Sequence, residues 1–240
     1  MKERALSHVP ATVKYLLVMA LGLQIGWQAS HERPVAMAED LVSPPALTAL
    51  NLGSLGEPVA LAKLLMLYVQ AFDVQPGVSL SYRDLDYNRL KAWLERVLEL
   101  DPQSQYPLFA AGHLYGLVAD QDRQRQMLDF IYQQFSKDPN RRWPALAHAV
   151  TRAKHGLKDL PLARRYAEAI RIQATGANVP HWAQQMEAFL LDDMGELEAA
   201  KLLIGALLQS GQITDVHEMR LLEMRLADMA AKAAKGSQQK

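Results

Sequence analysis

Between Asp86 and Lys235 the sequence falls into eight consecutive blocks whose apolar side chains recur three and four residues apart: about 86–100, 104–118, 121–136, 141–156, 160–174, 180–194, 196–210 and 215–235. That spacing gathers them on one side of a helix with 3.6 residues per turn. No block alternates with a period of two. The one strand-like stretch, Val78-Ser79-Leu80-Ser81-Tyr82, is too isolated to build a sheet. The expected fold class is therefore all-α. Upstream, the run VALAKLLMLYVQAF from Val59 is apolar nearly all round and predicts a buried helix, with Pro58 in its first turn, Glu57 at its positive end and Gln75-Pro76-Gly77 ending the stretch. Asp86 is expected to cap the helix that follows it.

Punctuation between the blocks repeats. Pro102 and Pro139, each preceded by Asp, are 37 residues apart; Tyr106 and Trp143 keep that interval, and so do Ala163 and Ala200. A fixed period of this size predicts stacked helical hairpins. Within them, VLELDPQSQYPLFAAGHLYG (Val97 to Gly116) resembles the junction between tetratricopeptide repeats, with Pro102 as the helix-ending proline, Gly112 as the small residue of the first helix and Tyr115 as the aromatic three positions on. Gly195-Glu196-Leu197-Glu198-Ala199-Ala200 resembles the turn and second-helix start of such a unit. The likeness covers roughly Leu90 to Ser210, with a period of 37 where the family has 34, and with Ala149 and Arg152 where Gly and Tyr would recur. It implies a tetratricopeptide-like solenoid whose first helices face a concave groove. On that basis Tyr106, Phe109, His113, Arg142, Trp143, Leu146, Trp182, Gln185 and Phe189 are the expected partner-binding residues; the alternative is that the rings only pack hairpin on hairpin.

The N-terminus carries a different signal. Tyr15 to Ala29 (YLLVMALGLQIGWQA) follows Lys2, Arg4 and Lys14 and precedes His31-Glu32-Arg33-Pro34, Glu39 and Asp40. Positive charge ahead of an apolar run keeps the N-terminus in the cytoplasm and sends the rest across. Residues 1–30 therefore read as a signal anchor in an inner membrane, single-pass, with the later domain periplasmic if the source is bacterial. The alternative is a cleaved signal, cut at Ala36-Met37-Ala38. Residues 31–56, with Pro34, Pro44, Pro45, Gly53 and Gly56, read as a tether holding at most a short helix near Ala46–Leu52. Residues 57–235 form the helical domain, closed by a capping helix whose Met219, Leu222, Leu226 and Met229 make a seam, and 236–240 read as a disordered tail.

Chemistry-bearing patterns are sparse. The 240 residues contain no cysteine, which removes thiol catalysis and thiolate metal sites, and 26 Lys+Arg balance 26 Asp+Glu, so no global field recruits nucleic acid. Seven histidines are scattered; only His148 and His155 share a helix, seven apart with Arg152 between them, which suits no metal. No nucleotide or hydrolase signature is present. No catalytic residue, cofactor or metal is expected. Charges segregate: Arg141 to Ile172 carries eight basic and two acidic residues, and Gln173 to Ala200 five acidic and none basic. Those stretches either pair across successive hairpins or dock a charged partner, a second copy of the chain included. The expected function is a membrane-tethered, non-enzymatic repeat adaptor that binds a protein partner's peptide or helix. The alternative is an enzyme, or an accessory subunit, of envelope glycan or lipid metabolism, using Trp143, His148, Arg152 and His155.

Overall fold

In the computed structural model, residues 10–30, 38–209, 211, 213 and 215–237 are described, 232–237 by backbone alone. Lys2, Arg4, the His31–Pro34 flank, Ala36 and Met37 of the cleavage motif, and residues 238–240 lie outside them. Helix α1, Ala11–Ser30, belongs to the smaller of two units, which also takes in Pro76–Val78, and none of its twenty residues is buried. Among the described residues no single helix is long and apolar enough to cross a membrane.

The second unit begins at Glu39, and its first residues are clamped where a free tether was expected. Gln75 grips the backbone of Glu39, accepting from its amide at 2.8 Å and donating to its carbonyl at 2.9 Å. Leu41 is buried in the core. Three side chains of one face of helix α4 (Tyr87–Leu100) donate to successive carbonyls: Arg89 to Leu41 at 2.9 Å, Trp93 to Val42 at 2.7 Å, Arg96 to Pro45 at 3.2 Å. Spacings of four and three place those donors in one row. Helix α2 (Leu47–Gly53) matches the short helix expected in this stretch, and α3 (Pro58–Gln70) starts at its proline. Among the described residues only Val74–Gln75 and Val78–Ser79 form strands, so the fold is all-α.

Helices α5 (Tyr106–His113), α6 (Gln121–Phe135), α7 (Pro139–His155), α8 (Leu160–Gln173), α9 (His181–Asp193), α10 (Leu197–Gln209) and α11 (Val216–Ser237) follow, each packed on the helix before it. Asp86, Asp120 and Asp159 recur as caps of α4, α6 and α8, each side chain accepting from free amides of the first turn. Asp159 is held below the usual carboxylate range by the Leu162 amide and by Arg125. The 104–118 block is shorter as a helix than its periodicity suggests. After His113 the chain tightens into a 3-10 turn, Tyr115–Leu117, because Tyr115 turns fully inward and Gly116 passes so close to Ala111 that a Cβ would sit 2.8 Å from its carbonyl oxygen. The buried Tyr87 hydroxyl donates to the Tyr115 carbonyl at 2.8 Å and secures the turn. At the end of α9, Gly195 takes φ +78, and the Glu196 amide bonds back to Leu191 as in a left-handed helix stop.

Five hydrogen bonds between successive hairpins share one interval. Gln70 donates to the Tyr106 hydroxyl, Gln105 to Arg141, Arg152 to Gly116, Arg165 to Asp129 and the Gly176 amide to Asn140, each pair 36 residues apart. One core runs from Leu41 to Leu190 and a second, smaller one joins α9, α10 and α11. In the second, Leu222 and Met229 are buried and Met219 and Leu226 half-buried, so the predicted seam of α11 faces α10 and covers it. Helix α11 continues through Gly236 and Ser237, residues read from sequence as a tail.

Candidate functional site

The first helices of the hairpins present rings. On α5, Tyr106, Phe109 and His113 follow one another at three and four residues and therefore project from one side. Tyr106 stacks near Phe109 (centroids 6.1 Å), Phe109 on His113 (4.1 Å), and His113 on His148 of α7 (3.7 Å), a column of four rings crossing from one hairpin to the next. Tyr106 and Phe109 are about half exposed. Beside the column lies a cleft of about 300 Å³ lined by Gln105, Phe109, His113, Pro144, Ala145 and His148. A second cleft, about 360 Å³, opens on the other side of Tyr106 between α3 and α4, with Met66, Leu67 and Val97 in its wall and Lys63 and Asp101 at its rim. Further along, Trp143 and Trp182 meet edge to face at 5.4 Å, with Trp182 half exposed.

Not every expected groove residue reaches this surface. Leu146 is fully buried, because α7 is packed by α5, α6 and α8 and keeps only a narrow strip open. Arg142 is 5% exposed and donates to the Gln134 carbonyl (2.8 Å), the Gln134 side chain (3.1 Å) and the Pro102 carbonyl (3.4 Å). It ties the end of α6 to the turn after α4, a structural role, and burial lowers its pKa. Gln185 is 2% exposed and donates to Glu218 of α11 at 2.6 Å, and Phe189 is half-buried against the α10–α11 core beneath Arg225. Those two fasten the cap. Tyr106, Phe109 and Trp182 remain on the surface and His113 and Trp143 reach it in part, while Gln105, Pro144, Ala145, Met66 and Leu67, which the repeat alignment did not single out, line the clefts with Tyr106, Phe109 and His113. Their signal in the sequence was position alone: Gln105 and Pro144 adjoin Tyr106 and Trp143.

The segregated charges are engaged within the chain. Lys154 pairs with Asp193 at 2.5 Å, Arg171 with Glu187 at 2.6 Å, and Arg164 with Glu196 at 3.0 Å and Glu187 at 3.8 Å. The basic stretch and the acidic stretch thus meet where successive hairpins pack, the first of the two expected outcomes.

Of the residues of the enzymatic alternative, Arg152 lies beside His148, while His155 is not among the groups that act on it. His155 is exposed at the end of α7, whereas His148 is partly buried with its Nδ1 against Gly112, where a Cβ would come within 3.2 Å. Nδ1 of His148 and Nε of Arg152 are buried without a hydrogen-bond partner. Burial, with His113 and Arg152 beside it, pushes the His148 imidazole down to about 4. The groups that act on it are thus a second imidazole and a guanidinium, not the carboxylate a general acid–base pair would use. Among the described residues no group of three His, Asp or Glu side chains is placed to hold a metal ion. Comparison of the chain with protein-family models, curated proteins and solved structures finds no match.

Proposed function

We propose that this chain is a tetratricopeptide-like repeat adaptor, tethered to the inner membrane of a bacterial cell by its N-terminal segment, that holds a partner protein's peptide or helix on the face built by α5, α7 and α9. Side-chain contacts that recur at 36 residues support the repeat reading, since in a stack of equal hairpins residue i meets its counterpart one repeat on. The observation that carries the binding reading is the ring-lined face: half-exposed Tyr106 and Phe109 by the apolar cleft between α5 and α7, and half-exposed Trp182 against Trp143 further along. Large rings over pockets are the anchors that dominate protein interfaces. The tether reading rests on the order of charges around α1 and on a twenty-residue helix with no buried residue. It places the N-terminus in the cytoplasm and the repeats in the periplasm, or, if the chain is cut near Ala38, releases them there.

Photo-crosslinking tests the binding reading directly. A benzophenone side chain at Phe109 or Trp182 should capture the same partner in intact cells, and one at Leu202, an exposed position on α10, should not. Equal, diffuse capture at all three positions would remove the face as a site. Alkaline phosphatase fused after Lys240 should be active and green fluorescent protein dark; the reverse pattern overturns the location.

A further inference from the structure

The two ends of the helical stack are finished differently. At the C-terminal end α11 covers α10 and turns Arg220, Glu223 and Asp228 outward among the exposed Val216, Leu221 and Met224. At the N-terminal end α2 and α3 bury Leu50, Ala62, Met66 and Val69 on one side and leave Leu52, Leu55, Val59, Leu64, Leu67 and Tyr68 exposed on the other. Leu52 and Leu55 are 82% and 92% exposed. Helix α2 carries no charge and α3 only Lys63. An apolar surface this concentrated is unusual on a water-facing protein.

The turn between the helices adds an independent sign. Leu55 sits at φ 51, in the left-handed region that glycine or asparagine adopts with little strain, and Gly56 follows at φ 92. The strained leucine packs on nothing in the chain, so in water its conformation costs free energy that no contact returns. Taken together α2 and α3 are as apolar as a membrane segment, but they bend by 111° at this turn. They can lie on a lipid surface with the leucine tip inserted, and they do not form a straight span.

We propose that the α2–α3 end of the stack seats on the lipid bilayer, with Leu52, Leu55, Leu64 and Leu67 in the interfacial layer and Tyr68 at its boundary. This inference rests on the reading of α1 as a membrane segment. The clamp of Glu39, Leu41, Val42 and Pro45 supplies the reason to choose lipid over other occupants. It leaves only residues 31–38 between α1 and the fixed chain, which reach at most about 30 Å when fully extended. An anchor in the bilayer therefore holds this end of the stack near the headgroups, where a sparsely charged apolar surface gains most by insertion.

The absence of cysteine makes the test clean. Single variants Leu21→Cys, Leu55→Cys, Leu67→Cys and Leu202→Cys of the full chain, each carrying a nitroxide label, are reconstituted into vesicles of phosphatidylethanolamine and phosphatidylglycerol, with helicity checked against the parent. Collisional relaxation by oxygen, which concentrates in lipid, is compared with relaxation by a water-soluble nickel complex. Labels at 21, 55 and 67 should favour oxygen severalfold, and the label at 202 should favour nickel. If position 21 favours oxygen while 55 and 67 behave like 202, this inference fails and the anchor stands. If position 21 also favours nickel, the anchor reading itself fails. If 55 and 67 are shielded from both reagents, the face is covered by protein, by α1 or a second copy, and the lipid assignment is overturned.

Discussion

The two helices of a hairpin meet their counterparts through different chemistry. Between α6 and α8 one ring pair, Tyr132 on Tyr166 (centroids 5.3 Å), lies under a polar network: Asp129 accepts from the Tyr166 hydroxyl at 2.9 Å and pairs with Arg165 at 3.2 Å, and Arg125 of α6 reaches the cap residue Asp159 at 2.7 Å. Between α5, α7 and α9 the junction is made chiefly of rings, with the Lys154–Asp193 pair only at its far end. Exposed ion pairs contribute about 0–1 kcal/mol each and mainly fix register. The polar layer therefore sets which residue meets which. Exposed rings hold surface that the fold itself does not use, and the proposed partner-binding face rests on that difference.

The comparison breaks most visibly at Tyr166, whose ring is fully buried beneath the polar junction. Tyr166→Ala should destabilise the protein by about 3–5 kcal/mol, through lost burial and the cavity left behind. Tyr166→Phe keeps the packing and removes one donor from Asp129, so about 1 kcal/mol is expected. Chemical denaturation of the two variants separates the terms. Equal losses would mean that the hydroxyl, not the ring, holds the layer.

Glu187 comes next. Its carboxylate is 3% exposed and lies under Arg171 and Arg164, each about one-third exposed. Breaking a buried pair ordinarily costs about 3–5 kcal/mol; because both guanidiniums can turn back to water, about 2 kcal/mol is expected for Glu187→Ala. Removing an exposed partner elsewhere, as in Lys154→Ala, should cost less than about 1 kcal/mol. A stability as high as the parent's for Glu187→Ala would show that the α8–α9 junction does not depend on it.

The ring layer has its own pH dependence. Above 6.5 His148 is neutral in both folded and unfolded chains and contributes nothing. As pH falls from 6.5 toward about 4, the unfolded chain takes up the proton and the folded one does not, so stability declines through that window. The full decline is on the order of 2 kcal/mol once the ring's partial exposure is allowed for. Thermal melts of the parent and of His148→Phe across this range should diverge, the variant staying flat where the parent falls. Asp159, held low, affects only more acidic conditions, below the usual carboxylate pKa of 3.8.

Helix positions, the Asp86 cap, the α11 seam and the pairing of basic with acidic stretches were legible in the sequence, because each depends on residues close in the chain or on a period. Which side of a helix stays open was not. Trp143 and Leu146 share a face by periodicity, yet α7 is flanked on three sides and only Trp143 reaches the surface. The repeat alignment puts Arg142 and Gln185 in the groove, but each is consumed by an acceptor far along the chain, Pro102 and Glu218. The clamp on residues 39–45 was equally hidden, since Arg89, Trp93 and Arg96 bind backbone carbonyls and leave no mark in the side chains of the segment they hold.

The smallest effects should come from the rings themselves, and their smallness is what separates the two layers. Phe109 and Trp182 keep about half their surface in water; Phe109 has two ring neighbours, Tyr106 and His113, and Trp182 one, an aromatic pair being worth about 0.5–1.5 kcal/mol. Phe109→Ala and Trp182→Ala should therefore each cost no more than about 1 kcal/mol, well below the loss at Tyr166, and leave the helical signal unchanged. Trp143, wedged deeper between α7 and α9, should cost more than Trp182. If Trp182→Ala melts as far below the parent as Tyr166→Ala, the rings are packing and the ring face is not a site. If it melts with the parent while the crosslink from position 109 disappears, the same surface that contributes little to folding carries the binding.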